Sequence, residues 1–128
     1  MEDKQERTEV DRFILEWIDS VPHLEALLLL WRESRRAWTP ETLAQRLWVV
    51  PAVAKGILED LARDQLLSAG TGQSEYRYQP DPEKDRLLGL VDDIYRKEMI
   101  RISTLIHSKA SSAVREFARA FRLKKERE

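Results

Sequence analysis

Cysteine is absent from the 128 residues, and histidine occurs only twice, as His23 and His107. Without cysteine there is no disulfide, no thiolate nucleophile and no zinc–cysteine centre. The two histidines are isolated and lack metal-ligand spacing, so neither is expected to be a ligand; no metal and no cofactor are expected. Neither charge sign is in excess: 22 Lys and Arg stand against 23 Asp and Glu, a net charge of −1. That balance favours neither nucleic acid nor acidic partners. The longest apolar run, Ala26 to Trp31, is far too short to span a bilayer. The charged start, Met1 to Arg7, has no apolar h-region, so no signal peptide is expected. Internal repeats and low-complexity tracts are missing too. Ser103, Thr104, Ser108, Ser111 and Ser112 form no nucleophile elbow and have no histidine at nucleophile spacing. Gly70-Thr71-Gly72 is too short and wrongly placed for a phosphate loop. These absences lead to the expectation of a soluble cytoplasmic protein that is not an enzyme.

What is present suits one domain with one core: 42% of residues are apolar and 35% charged. The charge is unevenly spread. Residues 1–19 carry seven acids against Lys4, Arg7 and Arg12, whereas residues 94–128 carry ten Lys and Arg against Glu98, Glu116, Glu126 and Glu128. An acidic front and a basic back mark an interaction surface, or let two ends of a dimer meet. Asp92, Asp93 and Glu98 read as a solvated helix face.

Apolar spacing predicts the elements in turn. Val10, Phe13, Ile14, Trp17 and Ile18 fall on one helical stripe over 9–20. Pro22 suits the first turn of a second helix, near 23–34, whose Leu24, Leu27, Leu28, Leu30 and Trp31 are apolar on most sides and so suit a buried helix. A third helix, 40–47, has Thr39 to cap it, Pro40 at its first position and Glu41 in its first turn, with Trp38 and Leu43 placed as a hydrophobic staple. Leu43, Ala44 and Leu47 make its inner face. Pro51 opens a fourth helix, 51–64, turning Val53, Ala54, Ile57, Leu58 and Leu61 inward. A β-hairpin follows over 66–79, with Gly70 and Gly72 in its turn and Tyr76 and Tyr78 on one strand face. Pro80 and Pro82 close this region. From Glu83 to Lys125 there is no proline and only one glycine, Gly89, so one long helix is expected, or two with a break near 108–112. The four tryptophans, Trp17, Trp31, Trp38 and Trp48, are assigned to core packing.

The run Leu43-Ala44, Leu47, Pro51, Val53, Ile57-Leu58, Leu61, Leu66-Leu67, then Tyr76 and Tyr78, resembles the winged helix-turn-helix of bacterial regulators of the MarR-like and PadR-like kind. The likeness covers roughly residues 24 to 80. It implies a winged-helix domain over 9–80 in a mainly α fold with a small β-hairpin; composition and spacing add an acidic flexible N-terminus over 1–8 and a long C-terminal amphipathic helix with a basic tail over 81–128. It also implies a dimeric DNA-binding transcriptional regulator, in which the fourth helix enters the major groove and the hairpin touches the backbone. Carried over by position, the DNA-facing residues are Ala52, Lys55, Gly56 and Arg63 on the helix, beside Glu59, and Gln73 and Arg77 in the hairpin, beside Thr71.

Several positions depart from that pattern. Trp48 stands where a small turn residue is common, Val50 where a Ser or Thr cap is common, and Gln65 where a glycine often precedes the strand. Glu59 and Asp60 bring negative charge to the reading helix, although DNA affinity rests mainly on neutralising phosphates. Residues 20–80 carry seven basic and seven acidic side chains. A winged-helix adaptor that binds only protein therefore stays beside the DNA-binding reading. The C-terminal stripe of Tyr95, Met99, Ile102, Ile106, Ala113, Phe117 and Phe121, at spacings of three and four, is the expected dimerisation element. The competing reading packs that stripe back onto the chain's own first two helices. A ligand pocket between these helices and the long one is a further option.

Overall fold

Capping residues mark most of the helix boundaries in the computed structural model, which describes residues 2–70 and 74–109. Helix α1 covers Glu2–Trp17, α2 Val21–Arg32, α3 Pro40–Leu47 and α4 Pro51–Arg63; strands β1 (Ser68–Ala69) and β2 (Tyr76–Arg77) follow, then α5, Pro82–Lys97. The chain is helical again over 99–109, here called α6. Ser20 caps α2 by accepting from the His23 N–H, and Asp81 caps α5 by accepting from the Lys84 N–H. At α3 the expected cap is present as a reciprocal box. Thr39 Oγ1 accepts from the Thr42 N–H at 3.1 Å, while Thr42 Oγ1 accepts from the Thr39 N–H at 2.9 Å. Trp38 and Leu43, the two residues of the expected staple, are both fully buried. Val50 makes no side-chain cap at α4, where Pro51 instead supplies a first residue that needs no N–H partner.

The hairpin pairs Ser68 with Arg77 and Ala69 with Tyr76, antiparallel. Gly72, assigned to its turn, lies outside the described residues. Tyr76 also bridges Trp38 on its other side, through two backbone hydrogen bonds of 2.7 Å. The Tyr76 strand thus lies between Trp38, which precedes the Thr39 cap of α3, and β1, which follows α4. Tyr76 and Tyr78 point into the core and Arg77 points out, the alternation a half-buried strand requires. Tyr78 Oη donates to Asp85 Oδ1 at 2.7 Å, which ties the end of the hairpin to α5. Burial, and then that hydrogen bond and charge, push the Tyr78 hydroxyl well above the usual tyrosine range.

Three expectations need correction. The first concerns where the first helix starts: expected at 9, it begins at Glu2. Apolar spacing starts only at Val10, but charge carries the helix further back. Arg7 lies 3.0 Å from Glu98 and Glu9 lies 2.6 Å from Arg86. The second concerns the long C-terminal helix, which breaks at Glu98; of the break expected near 108–112, residues 110–112 lie outside the described residues. Glu98 leaves helical geometry (φ −131°, ψ 46°); its N–H closes α5 onto Ile94 O, and its carbonyl accepts from the Ile102 N–H. The break leaves Ile94 and Tyr95 before it, and Ile102 and Ile106 after it, all buried.

Third, the acidic run is not a solvated face. Asp92 is buried and paired with Arg32 and Arg96, and Glu98 holds Arg7 and Arg101. Only Asp93 is exposed, beside Lys97. Among the described residues, charged side chains of the front and of the back meet within one chain. Arg7 meets Glu98, Asp11 meets Arg101 at 2.9 Å, and Asp19 meets Lys109 at 3.8 Å, so α6 runs parallel to α1. The core beneath is continuous, from Val10, Phe13 and Ile14 through the leucines of α2 to Ile106. Among the described residues no helix is long and apolar enough to cross a membrane.

Candidate functional site

The α3–α4 corner carries the most exposed large apolar side chain of the described residues. Trp48 is 93% exposed, with Val50 at 61% and Val53 at 46%. Core packing was the expectation for Trp48, and it is overturned here. Val53, expected to face inward, also does not. At about 100° per residue it lies roughly a quarter turn from the line through Ala54, Ile57, Leu58 and Leu61, all four of which are buried. Trp17, at 41% exposed, is likewise not a core residue.

Trp48 ends α3 in left-handed geometry (φ 59°, ψ 42°), with the Val49 N–H returning to Ala44 O at 3.2 Å. Glycine serves this role without penalty, whereas a side-chain-bearing residue pays about 1–2 kcal/mol. Burial repays little of that cost, since the indole is almost wholly in water. The departure from a small turn residue is visible in the sequence; its exposure is not. Beneath the corner lies an open cavity of about 310 Å³ whose lining includes Leu28, Leu29, Arg46, Leu47, Trp48 and Tyr95. Both its arginines are already engaged, Arg46 2.8 Å from Glu33 and Arg32 with Asp92. Tyr95 donates to Glu25 across 3.4 Å, and burial followed by that carboxylate raises its hydroxyl pKa.

Of the expected DNA-facing residues, Ala52 and Lys55 are exposed on α4 and Gly56 is half-buried. A Cβ added at Gly56 would meet nothing within 4 Å, so the helix carries the cost of a glycine that no internal packing requires. Arg63 is exposed but lies 3.2 Å from Asp60 and 4.0 Å from Asp64. Arg77 is exposed on the hairpin; Gln73 and Thr71 lie outside the described residues. Among the described residues Lys55 and Arg77 have no ion-pair partner. Glu59 is exposed on the same helix. The face that was to neutralise phosphates therefore holds two unpaired cations beside an uncovered carboxylate.

Three of the seven residues of the expected dimerisation stripe are buried inside the chain. Tyr95, Ile102 and Ile106 are 6%, 1% and 1% exposed, so they are unavailable to a second copy in this arrangement. Met99 remains exposed, with neighbouring Ile100 at 84%. Ala113, Phe117 and Phe121 lie outside the described residues.

One polar cluster was not foreseen. His23 Nδ1 lies 2.6 Å from Ser20 Oγ, and His23 Nε2 lies 2.8 Å from Asp60 Oδ2. Asp19 joins them, so that one ligand atom from each of Asp19, His23 and Asp60 lies within 4.8 Å of the others. Serine, histidine and aspartate in a hydrogen-bonded row also describe a nucleophile relay. Here, however, Ser20 Oγ is engaged in capping α2, and none of the cavities described reaches it. Asp60 is 37 residues from His23, which is why local spacing gave no sign of the cluster. The chain matches no protein-family model, and a search of the curated proteins returns no match.

Proposed function

We propose that α2, α3, α4 and the hairpin form a winged helix, and that its α3–α4 corner docks on another protein, making the chain a binding module rather than a catalyst. The order of elements supports the winged helix, as does the Trp38 bridge, a single β-bridge on the free side of the two-stranded hairpin. The observation that carries the docking reading is Trp48, 93% exposed on left-handed backbone, with Val50 and Val53 beside it. Contiguous exposed apolar residues mark interaction surfaces, and aromatic anchors carry much of the energy of such contacts. Gly56, which no internal contact requires, lets a partner approach α4 closely.

The unpaired Lys55 and Arg77 favour a second reading, the DNA-binding regulator. Retention from the native lysate, with and without nuclease, separates the two. A protein kept after nuclease by the wild type and lost with Trp48→Asp supports docking. A discrete DNA fragment lost with Lys55→Glu and Arg77→Glu, with salt-sensitive affinity, supports the regulator. A homodimer through the C-terminal stripe would use Met99, beside Ile100, or the stripe residues outside the described set. Light scattering would then give about twice the 15.1 kDa chain mass.

A further inference from the structure

We propose that Asp19, His23 and Asp60 bind a divalent transition-metal ion that fastens α4 to the α1–α2 turn. This does not rest on the docking reading. The three ligand atoms come from the turn after α1, the first turn of α2 and the last turns of α4, and lie within 4.8 Å of one another. Metal–ligand distances of about 2.0–2.2 Å place neighbouring ligand atoms about 3–3.5 Å apart, so small side-chain rotations close the shell. His23 is already aimed. Its Nδ1 lies 2.6 Å from Ser20 Oγ, the kind of outer hydrogen bond that fixes a ligating imidazole, and its Nε2 faces Asp60 Oδ2 at 2.8 Å.

When Nδ1 carries the proton, Nε2 and the carboxylate are two acceptors facing each other, and a cation between them satisfies both. The outer Asp60 oxygen, Oδ1, is held by Arg63 at 3.2 Å, which leaves Oδ2 for the ion. Lys109 donates to Ile18 O and lies 3.8 Å from Asp19 Oδ1, so it holds that carboxylate only loosely. The Asp19 side chain is 57% exposed, so water can complete the coordination. One imidazole with two carboxylates suits zinc, manganese, iron, cobalt or nickel; calcium and magnesium prefer oxygen alone.

The test uses the full chain stripped with a chelator and titrated with zinc by calorimetry and with cobalt by visible absorption. Saturable one-to-one binding is expected, with the melting temperature raised by about 5 °C or more at about 100 µM zinc. Asp19→Asn and His23→Gln each weaken binding about tenfold or more, whereas His107→Ala, at the exposed histidine of α6, binds as the wild type does. If His23→Gln fails to fold, Asp19→Asn decides, because that exposed side chain gives up only a long ion pair. No saturable binding below about 1 mM, or equal affinity in Asp19→Asn and the wild type, overturns the proposal.

Discussion

Where α1 meets α5 and α6, the chain uses what it has. Tyr95, Ile102 and Ile106 are buried, and Arg7, Asp11, Arg86, Glu98 and Arg101 are all in ion pairs. At the α3–α4 corner it does the reverse. Trp48 sits on strained backbone with its ring in water, Val50 and Val53 are uncovered, and Gly56 weakens a helix that has room for a methyl group. The side chains named in the first region find apolar or ionic partners inside the molecule; those named at the corner do not. That difference shifts attention from the C-terminal stripe, the expected interface, to the corner.

The contrast breaks most visibly under truncation of apolar side chains. Ile102→Ala should cost about 2–4 kcal/mol, the usual penalty for a cavity in a packed core. Val53→Ala, at a residue 46% exposed, should stay within about 0.5 kcal/mol. Urea unfolding of both variants checks this. Equal losses would mean that α6 is not part of the core or that Val53 is.

The two left-handed residues sharpen the comparison. Trp48 and Gln65 have φ of 59° and 63°, and glycine at either position should stabilise the fold by about 1 kcal/mol. Gln65→Gly should leave partner binding alone. Trp48→Gly should stabilise and yet abolish binding, a dissociation of stability from function that a residue serving only the fold cannot produce. Thermal melts paired with the retention assay read both effects.

Much of this architecture was legible because it is local. Thr39-Pro40 and Pro51 announce helix starts through groups a few residues away, the stripes of α2 and α4 follow the helical period, and Tyr76 and Tyr78 follow the strand period. Long-range relations left no such trace. No periodicity tells Glu98 that Arg7 will hold it, so the break there was invisible, and the stripe through Tyr95 and Ile106 read as one continuous face. His23 and Asp60 become a pair only when α2 crosses α4. Trp48 was visible as an odd turn residue, but hydrophobicity argued for the core. Only the left-handed turn, which swings its side chain outward, decides against it.

Gly56 gives a smaller effect. With nothing within 4 Å of an added Cβ, Gly56→Ala should raise stability by about 0.5–1 kcal/mol. If a partner packs closely on α4, the same methyl should weaken binding. Unchanged binding in a stabilised variant would restrict the docking surface to Trp48, Val50 and Val53.

The least effect is expected from the exposed ion pairs of the α1 side, and its pH dependence identifies them. The hydrogen bond from Arg86 to Glu9 holds that carboxyl below its usual range, and those from Arg101 and then Arg7 do the same for Glu98. A carboxylate whose folded pKa is depressed adds stability above its unfolded pKa, near about 4.3, and loses it as pH falls through the lower folded value. Stability should therefore be level near neutrality and decline on acidification below that point. Because both groups lie near the surface, salt should screen the contribution. Arg86→Gln should flatten the Glu9 part of the acid decline at low ionic strength, while Lys55→Gln, on the corner, should leave it unchanged. Acid titrations of the melting temperature at two salt concentrations test this. A decline that is the same in Arg86→Gln and the wild type would mean that the Glu9–Arg86 pair does not help to hold α1 to α5.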